Sequence, residues 1–319
     1  MATWLALGGI AGGSHLETTG FLDLQGRYGT NLATGSGITV AQVEASELTN
    51  YLANTNNFPG KTFAALSGPS GFSSHATTVG TYLYGGNSVA SGTTNIRAYQ
   101  ADGFLNADCL RYGTTDAPLN PSPARVMNHS WIGGDTNPPT SAAENDILQR
   151  LDHIADSFGV TIIAGVNNGD GSLDYPLLSQ GYNAIAVGAS GGPSRSGPAF
   201  APVPGRAKPD IVAPTDLTSW AAALVAGAAS LLTDRALSQT ALTNAADPRV
   251  IKALLLNTAA KVPGWHKGST NGLDDATVPL DWRSGAGDLR INHAYDLLNS
   301  GEATPHVAGT NAAWDLGTT

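Results

Sequence analysis

Three short segments of the chain hold, in order, an acid, a histidine and a serine. They are Val43-Glu44-Ala45-Ser46, Ser73-Ser-His75-Ala-Thr-Thr-Val-Gly80 and Leu217-Thr-Ser219-Trp-Ala-Ala-Ala-Leu-Val-Ala-Gly227. These residue types can together run nucleophilic catalysis. A histidine takes the hydroxyl proton as the serine attacks a carbonyl, and an acid on its other ring nitrogen fixes the tautomer and steadies the imidazolium.

Each of the three sits at the edge of a predicted element. Residues 37–43 alternate and carry β-branched side chains, so they read as a strand that ends beside Glu44. Residues 75–84 read as a helix that opens at His75. The Ala-rich run 218–235, interrupted only by Gly227, reads as a long buried helix that opens at Ser219. A serine at a helix N-terminus is well placed: its own N–H is one of the donors without an intrahelical partner, and the dipole there favours a developing anion.

Further strands are predicted at 95–99, 124–131, 160–164, 183–188 and 209–212. Ile147, Leu151, Ile154 and Ala155 give 143–158 helical spacing, with Gly159 closing that helix, and 249–261 reads as a helix started by Asp247-Pro248. Strands alternating with helices predict an α/β fold, three layers αβα around a mostly parallel twisted sheet, with a cleft at the C-terminal strand ends. Residues 1–36 read as irregular, with the glycine-rich 8–13 as a flexible segment, and 300–319 as a polar tail. No internal repeat or linker stands out, so 1–319 reads as one domain.

The chain has 319 residues, 41% hydrophobic and only 13% charged, enough apolar material for one large core. Its net charge of −9 and scattered basic residues exclude a nucleic-acid surface. The single cysteine, Cys109, excludes an intrachain disulfide framework and reads as a semi-buried thiol. No apolar run reaches the roughly 18 residues that cross a bilayer, so no membrane partner is expected. Residues 5–13 are short, Gly-broken and lack a basic flank, unlike a signal peptide. Few lysines and abundant Thr, Ser, Asn and Gly point to a secreted or extracytoplasmic protein. The remaining histidines show no metal-ligand spacing, His129 reads as structural, and the Asn128-His-Ser130 sequon lies on a strand too buried for glycosylation.

The segments resemble those of the subtilisin-like (subtilase) serine peptidase family. The serine segment is similar to Gly-Thr-Ser-Met-Ala-x-Pro-His-Val-Ala-Gly, and the histidine segment to His-Gly-Thr-His-Val-Ala-Gly. The first strand resembles Val-x-Val-Ala-Val-Ile-Asp-Thr-Gly, with Glu44 at the Asp position. Thr161-Ile-Ile-Ala-Gly-Val-Asn167-Asn-Gly169 is similar to the segment ending Ala-Ala-Gly-Asn-x-Gly, and Arg125-Val-Met-Asn-His-Ser130-Trp131 to Val-Ile-Asn-Met-Ser-Leu. Blocks at 182–189, 208–214 and 285–292 continue the series, so the likeness runs in order over roughly residues 37–296.

The resemblance implies a serine endopeptidase with a Glu44–His75–Ser219 triad, and an oxyanion held by Asn167 and the Ser219 N–H. It places Ser130, Trp131 and Ile132 beside bound peptide, and Gly165 and Val166 at the primary specificity pocket. It implies a polypeptide substrate, a monomer and no cofactor; a structural calcium is common in the family, but no acidic loop here identifies one. The 36 residues ahead of the first strand are short for the folded inhibitory propeptide usual in the family, which implies a mature or trimmed form.

The departures are specific. Glu44 is one methylene longer than Asp, a displacement of about 1.5 Å from single-bond dimensions. Leu217 replaces Gly before Thr-Ser, Ala223-Leu224 replaces Pro-His, Val166 replaces Gly before Asn167, and Ala76 and Thr78 replace Gly and His after the catalytic histidine. Two other readings therefore stand beside the peptidase: an inactive peptide-binding relative, and a serine esterase or transpeptidase on the same residues.

Overall fold

The computed structural model describes residues 14–133, 141–169, 177–196, 206–268, 277–303 and 314–316. Seven strands follow in chain order: β1 (Thr39–Glu44), β2 (Thr62–Ala65), β3 (Asn95–Gln100), β4 (Ala124–His129), β5 (Thr161–Gly165), β6 (Ile185–Ala189) and β7 (Ile211–Ala213). They form one parallel sheet in the order β2-β3-β1-β4-β5-β6-β7. The chain builds one edge from β1, then crosses back over it to build the other. A cleft opens beyond the C-terminal strand ends at such a reversal.

The helices are α1 (Ser14–Thr18), α2 (Phe21–Tyr28), α3 (Ser74–Tyr84), α4 (Ala101–Gly103), α5 (Ser141–Phe158), α6 (Thr218–Leu237), α7 (Pro248–Asn257) and α8 (Ile291–Asn299). Successive strand side chains alternate between two cores. Val40, Val126 and Ile163 join the core made with α3, α6, α7 and α8. Ala41, Val43, Met127, Ile162 and Ala164 join the core made with α5. The result is an α/β fold of three layers, as the pattern of elements predicts. The same alternation puts Gln42 and Glu44 of β1, Asn128 of β4, and Gly165 of β5 on the α3/α6 face, with Ser130 just beyond the end of β4. The catalytic candidates thus share one side of the sheet because of a period of two.

Helix α6 crosses that face against β4, β5 and β6. Its small side chains let other backbone come close: a Cβ on Gly227 would stand 3.3 Å from the Leu83 carbonyl of α3, and one on Gly165 would stand 3.3 Å from the Thr218 carbonyl. Leu217, which precedes α6, has φ −128° and ψ 144°. This is extended backbone open to any residue, so the glycine usual in the family is not needed here.

Three expectations change. Residues 14–28 are not irregular: α1 and α2 are joined at Gly20, whose φ is 75°, and bury Leu16, Phe21 and Leu24 in the α6-side core. Residues 8–13 lie outside the described part. The 300–319 tail is described only at 300–303 and 314–316, where Ala303 N–H donates to the Trp314 carbonyl at 2.7 Å. Trp314 is itself buried, its Nε1 donating to the Leu298 carbonyl at 3.1 Å. The helix predicted over 249–261 stops at Asn257 as α7. The edge strand β2 and the terminal helix α8 were not predicted.

Candidate active site

Glu44 ends β1, His75 lies in the first turn of α3, and Ser219 in the first turn of α6. His75 Nδ1 is 2.8 Å from Glu44 Oε2, and His75 Nε2 is 3.0 Å from Ser219 Oγ. An ionised carboxylate only accepts hydrogen bonds, so Nδ1 carries the proton and donates it. Nε2 is then the lone pair facing the serine hydroxyl. The Glu44 side chain is 1% exposed and that of His75 37%.

Burial pushes the Glu44 carboxyl upward, against the hydrogen bond and charge of His75 and a hydrogen bond from Gln42. Burial also acts to lower His75, but the hydrogen bond and charge of Glu44, with the charge of Glu47, lift it above its ordinary value. The ring therefore holds a proton to higher pH than a free imidazole.

A cavity of about 450 Å³ opens in front of Ser219. Ser130, Trp131 and Ile132 line it from the end of β4, and Gly165, Val166 and Asn167 from the end of β5. His75 and Ser219 line it too, while the buried Glu44 stands behind His75 and outside the lining. Ser130 also braces the nucleophile: its Oγ donates to the Ser219 carbonyl at 2.9 Å and accepts from Asn128 Nδ2 at 2.9 Å. The Ser219 hydroxyl has the Ser130 carbonyl at 3.3 Å as a second acceptor. Asn128 is fully buried in this contact, which leaves no access for glycosylation. His129 faces the other core, its ring 4.9 Å from that of Phe104, and burial pushes its pKa down to about 3.

Three side chains at the site were not singled out from the sequence. Asn168 Oδ1 accepts from the Thr218 N–H at 2.9 Å and from Thr218 Oγ1 at 3.1 Å. A backbone N–H can only donate, so the amide oxygen is the half that faces Thr218, and the NH₂ remains as donor. Asn167, the residue expected from the sequence, lines the cavity beside Asn168. Glu47 accepts from Ser73 Oγ, the Ser74 N–H and Ser74 Oγ at 2.9, 2.7 and 2.8 Å. The Ser74 and Ser73 hydroxyls hold its carboxyl down at about 2. It thereby caps the helix that carries His75. The Ser73-Ser74 pair at the start of α3 was the available signal. Gln42, the third, contacts Glu44 directly.

Among the described residues, no three His, Cys, Asp or Glu side chains gather as a metal site would require. None of the described helices is long and apolar enough to cross a membrane. Residues 23–287 match the Subtilase family. Similar solved structures include the prenylagaramide maturation protease PagA, 20% identical with a TM-score of 0.54, over 83% of this chain and 94% of that one. The patellamide maturation protease PatA is 18% identical with a TM-score of 0.52, over 84% and 98%. MycP1 with its N-terminal propeptide removed is 16% identical with a TM-score of 0.57, over 93% and 98%. At such identities the likeness is one of fold. Among curated proteins none matches the chain.

Proposed function

The chain belongs to the subtilase family of serine peptidases, and on that footing we propose that it cleaves polypeptides through an acyl-enzyme on Ser219, with His75 as general base and Glu44 as the acid behind it. The observation that carries this reading is the continuous row from Glu44 through His75 to Ser219, with contacts of 2.8 and 3.0 Å and with His75 and Ser219 lining a cavity.

Ser219 Oγ attacks the peptide carbonyl carbon as its proton passes to His75 Nε2. The C–N bond then breaks and the same proton passes to the leaving amine. Water repeats both steps in reverse sense and frees the carboxylic acid product. Glu44 stays ionised throughout and faces the imidazolium that forms. These side chains supply all the proton transfers, so the reading calls on no cofactor. Matched amide and ester peptides, with an unfolded protein as substrate, test it. Turnover of the amide and fragments of the protein are expected; ester turnover alone would make the chain an esterase, and binding without turnover an inactive relative.

The oxyanion forms beside the start of α6, where the Ser219 N–H, in the first turn, has no partner within the helix. We place the side-chain donor at Asn168, because Thr218 fixes its oxygen and leaves its NH₂ to donate. Asn168→Ala should lower kcat by about 10²–10³, the range known for such a donor in subtilisin, with KM little changed. Asn167→Ala should cost far less. The reverse order in kcat would return the role to Asn167.

Val166 is 1% exposed in the cavity wall, and Trp131 lines the wall from β4. Both narrow the pocket for the residue before the scissile bond, so small or medium apolar residues should be preferred there. Val166→Gly should raise relative cleavage after large aromatic residues by roughly 10–200-fold, the range for a few methyl-sized groups. Cleavage profiles of the wild type dominated by Phe, Tyr or Trp would contradict this.

A further inference from the structure

His75 uses one oxygen of Glu44. The other, Oε1, accepts from Gln42 Nε2 at 2.9 Å. Gln42 lies two residues earlier on the same face of β1 and is 2% exposed. Its amide NH₂ also donates to the carbonyl of Ala76, the residue after His75, at 2.8 Å. Its own oxygen accepts from the hydroxyl of Tyr84, which is fully buried on α3.

The direction of this row is forced. A carboxylate and a backbone carbonyl only accept, so both face the NH₂, and the amide oxygen is left for a hydroxyl that must donate. Room for that hydroxyl comes from Gly80, one turn earlier on α3: a Cβ there would stand 2.5 Å from the Tyr84 hydroxyl oxygen and 2.9 Å from Phe58 Cζ. Burying an amide and a phenol this deeply is unfavourable unless every polar atom is bonded.

We propose that Gln42, backed by Tyr84, is a positioning residue that holds the Glu44 carboxylate toward His75. One amide ties the acid to the backbone of the helix that carries the base. A glutamate has one more rotatable bond than an aspartate, and the contact at Oε1 removes that freedom. It also favours the ionised form of Glu44, since a donor to a carboxylate stabilises the charge. The ionisable groups around the row are His75 and Tyr84 from α3, and Lys61, whose Nζ is 5.9 Å from the Tyr84 ring centre. Glu47, from the loop after β1, acts on His75 from the solvent side.

This inference rests on Glu44 being the acid, and the test separates the two. Gln42→Met removes the hydrogen bonds at similar size, and Tyr84→Phe removes one hydroxyl. The readout is kcat and KM as a function of pH, with a thermal midpoint for each variant. Gln42→Met should lose roughly 10–100-fold in kcat with KM nearly unchanged, the range of coupling within one hydrogen-bond network. Its acid limb should move to higher pH, because a carboxylate without its donor gives the Glu44–His75 pair a stronger hold on a proton. Tyr84→Phe should shift the limb in the same direction by less, and it decides the matter if Gln42→Met does not fold. Adding Gln42→Met to Glu44→Gln should cost no further activity and should recover part of it, because the introduced amide is then free to turn its oxygen to His75 Nδ1. An unmoved acid limb with only the thermal midpoint lowered would overturn the positioning role. Near-normal activity of Glu44→Gln alone would instead overturn the acid assignment.

Discussion

Ser219→Ala and His75→Ala should each reduce peptide hydrolysis to near background while leaving the fold intact. The expected loss is roughly 10⁶-fold in kcat, the size known for the same pair in subtilisin, and the double variant should be little worse than either single one. Members of such a group act as a unit: a hydroxyl without its base is a weak nucleophile, and a base without the hydroxyl has no proton to take. The fold should survive because the contacts that hold the nucleophile's turn are made by its backbone. The Ser219 carbonyl accepts from Ser130 Oγ, and the Ala221 N–H donates to the Leu217 carbonyl at 3.0 Å. Neither needs the Ser219 hydroxyl. Turnover by Ser219→Ala at the wild-type rate, with an unchanged thermal midpoint, would show that the nucleophile lies elsewhere.

Glu44→Gln should cost up to about 10⁴ in kcat, by analogy with the Asp→Asn change in a related triad. The physical reason lies in Gln42. Its NH₂ must face an acceptor at the Oε1 position, so the introduced amide would present its oxygen to Gln42 and its own NH₂ to His75. His75 Nδ1 would then have to accept. That moves the ring proton to Nε2, where it faces Ser219 and cannot take the hydroxyl proton. Glu44→Asp keeps the charge but falls short by about 1.5 Å, so it should also be impaired, though less. A Glu44→Gln enzyme within tenfold of the wild type would contradict the assignment.

Most of the framework could be read along the chain because its strands are buried on both faces and its helices are periodic. β5 is an unbroken run of apolar and β-branched residues with a glycine at its end, β1 and β4 are apolar at half of their positions, and α6 is rich in alanine. β2 escaped notice because it is an edge strand, with Thr62, Ala64 and Ala65 exposed. α1 and α2 are short and separated by a glycine, so neither gives enough turns for a period to show. Glu44, His75 and Ser219 could be singled out because each sits at an element's end inside a distinctive segment. Asn168, Glu47 and Gln42 are different in kind. Their roles depend on where a side chain points after folding: across to Thr218, onto the start of α3, or along β1 toward Glu44. Two left a trace: the Ser73-Ser74 pair for Glu47, and for Gln42 its own polarity, two residues before the acid in a strand buried along its whole length.

The central claim is that Ser219 is the activated nucleophile of an intact charge row. A serine-reactive phosphonate tests it most directly, because it forms a covalent bond only with a serine whose proton a neighbouring base removes. Incubation followed by mass mapping should give one adduct per chain, on Ser219. His75→Ala should give none on the same timescale, and Glu44→Gln should react far more slowly. An adduct on another residue, or no adduct on a folded wild-type chain, would contradict the account.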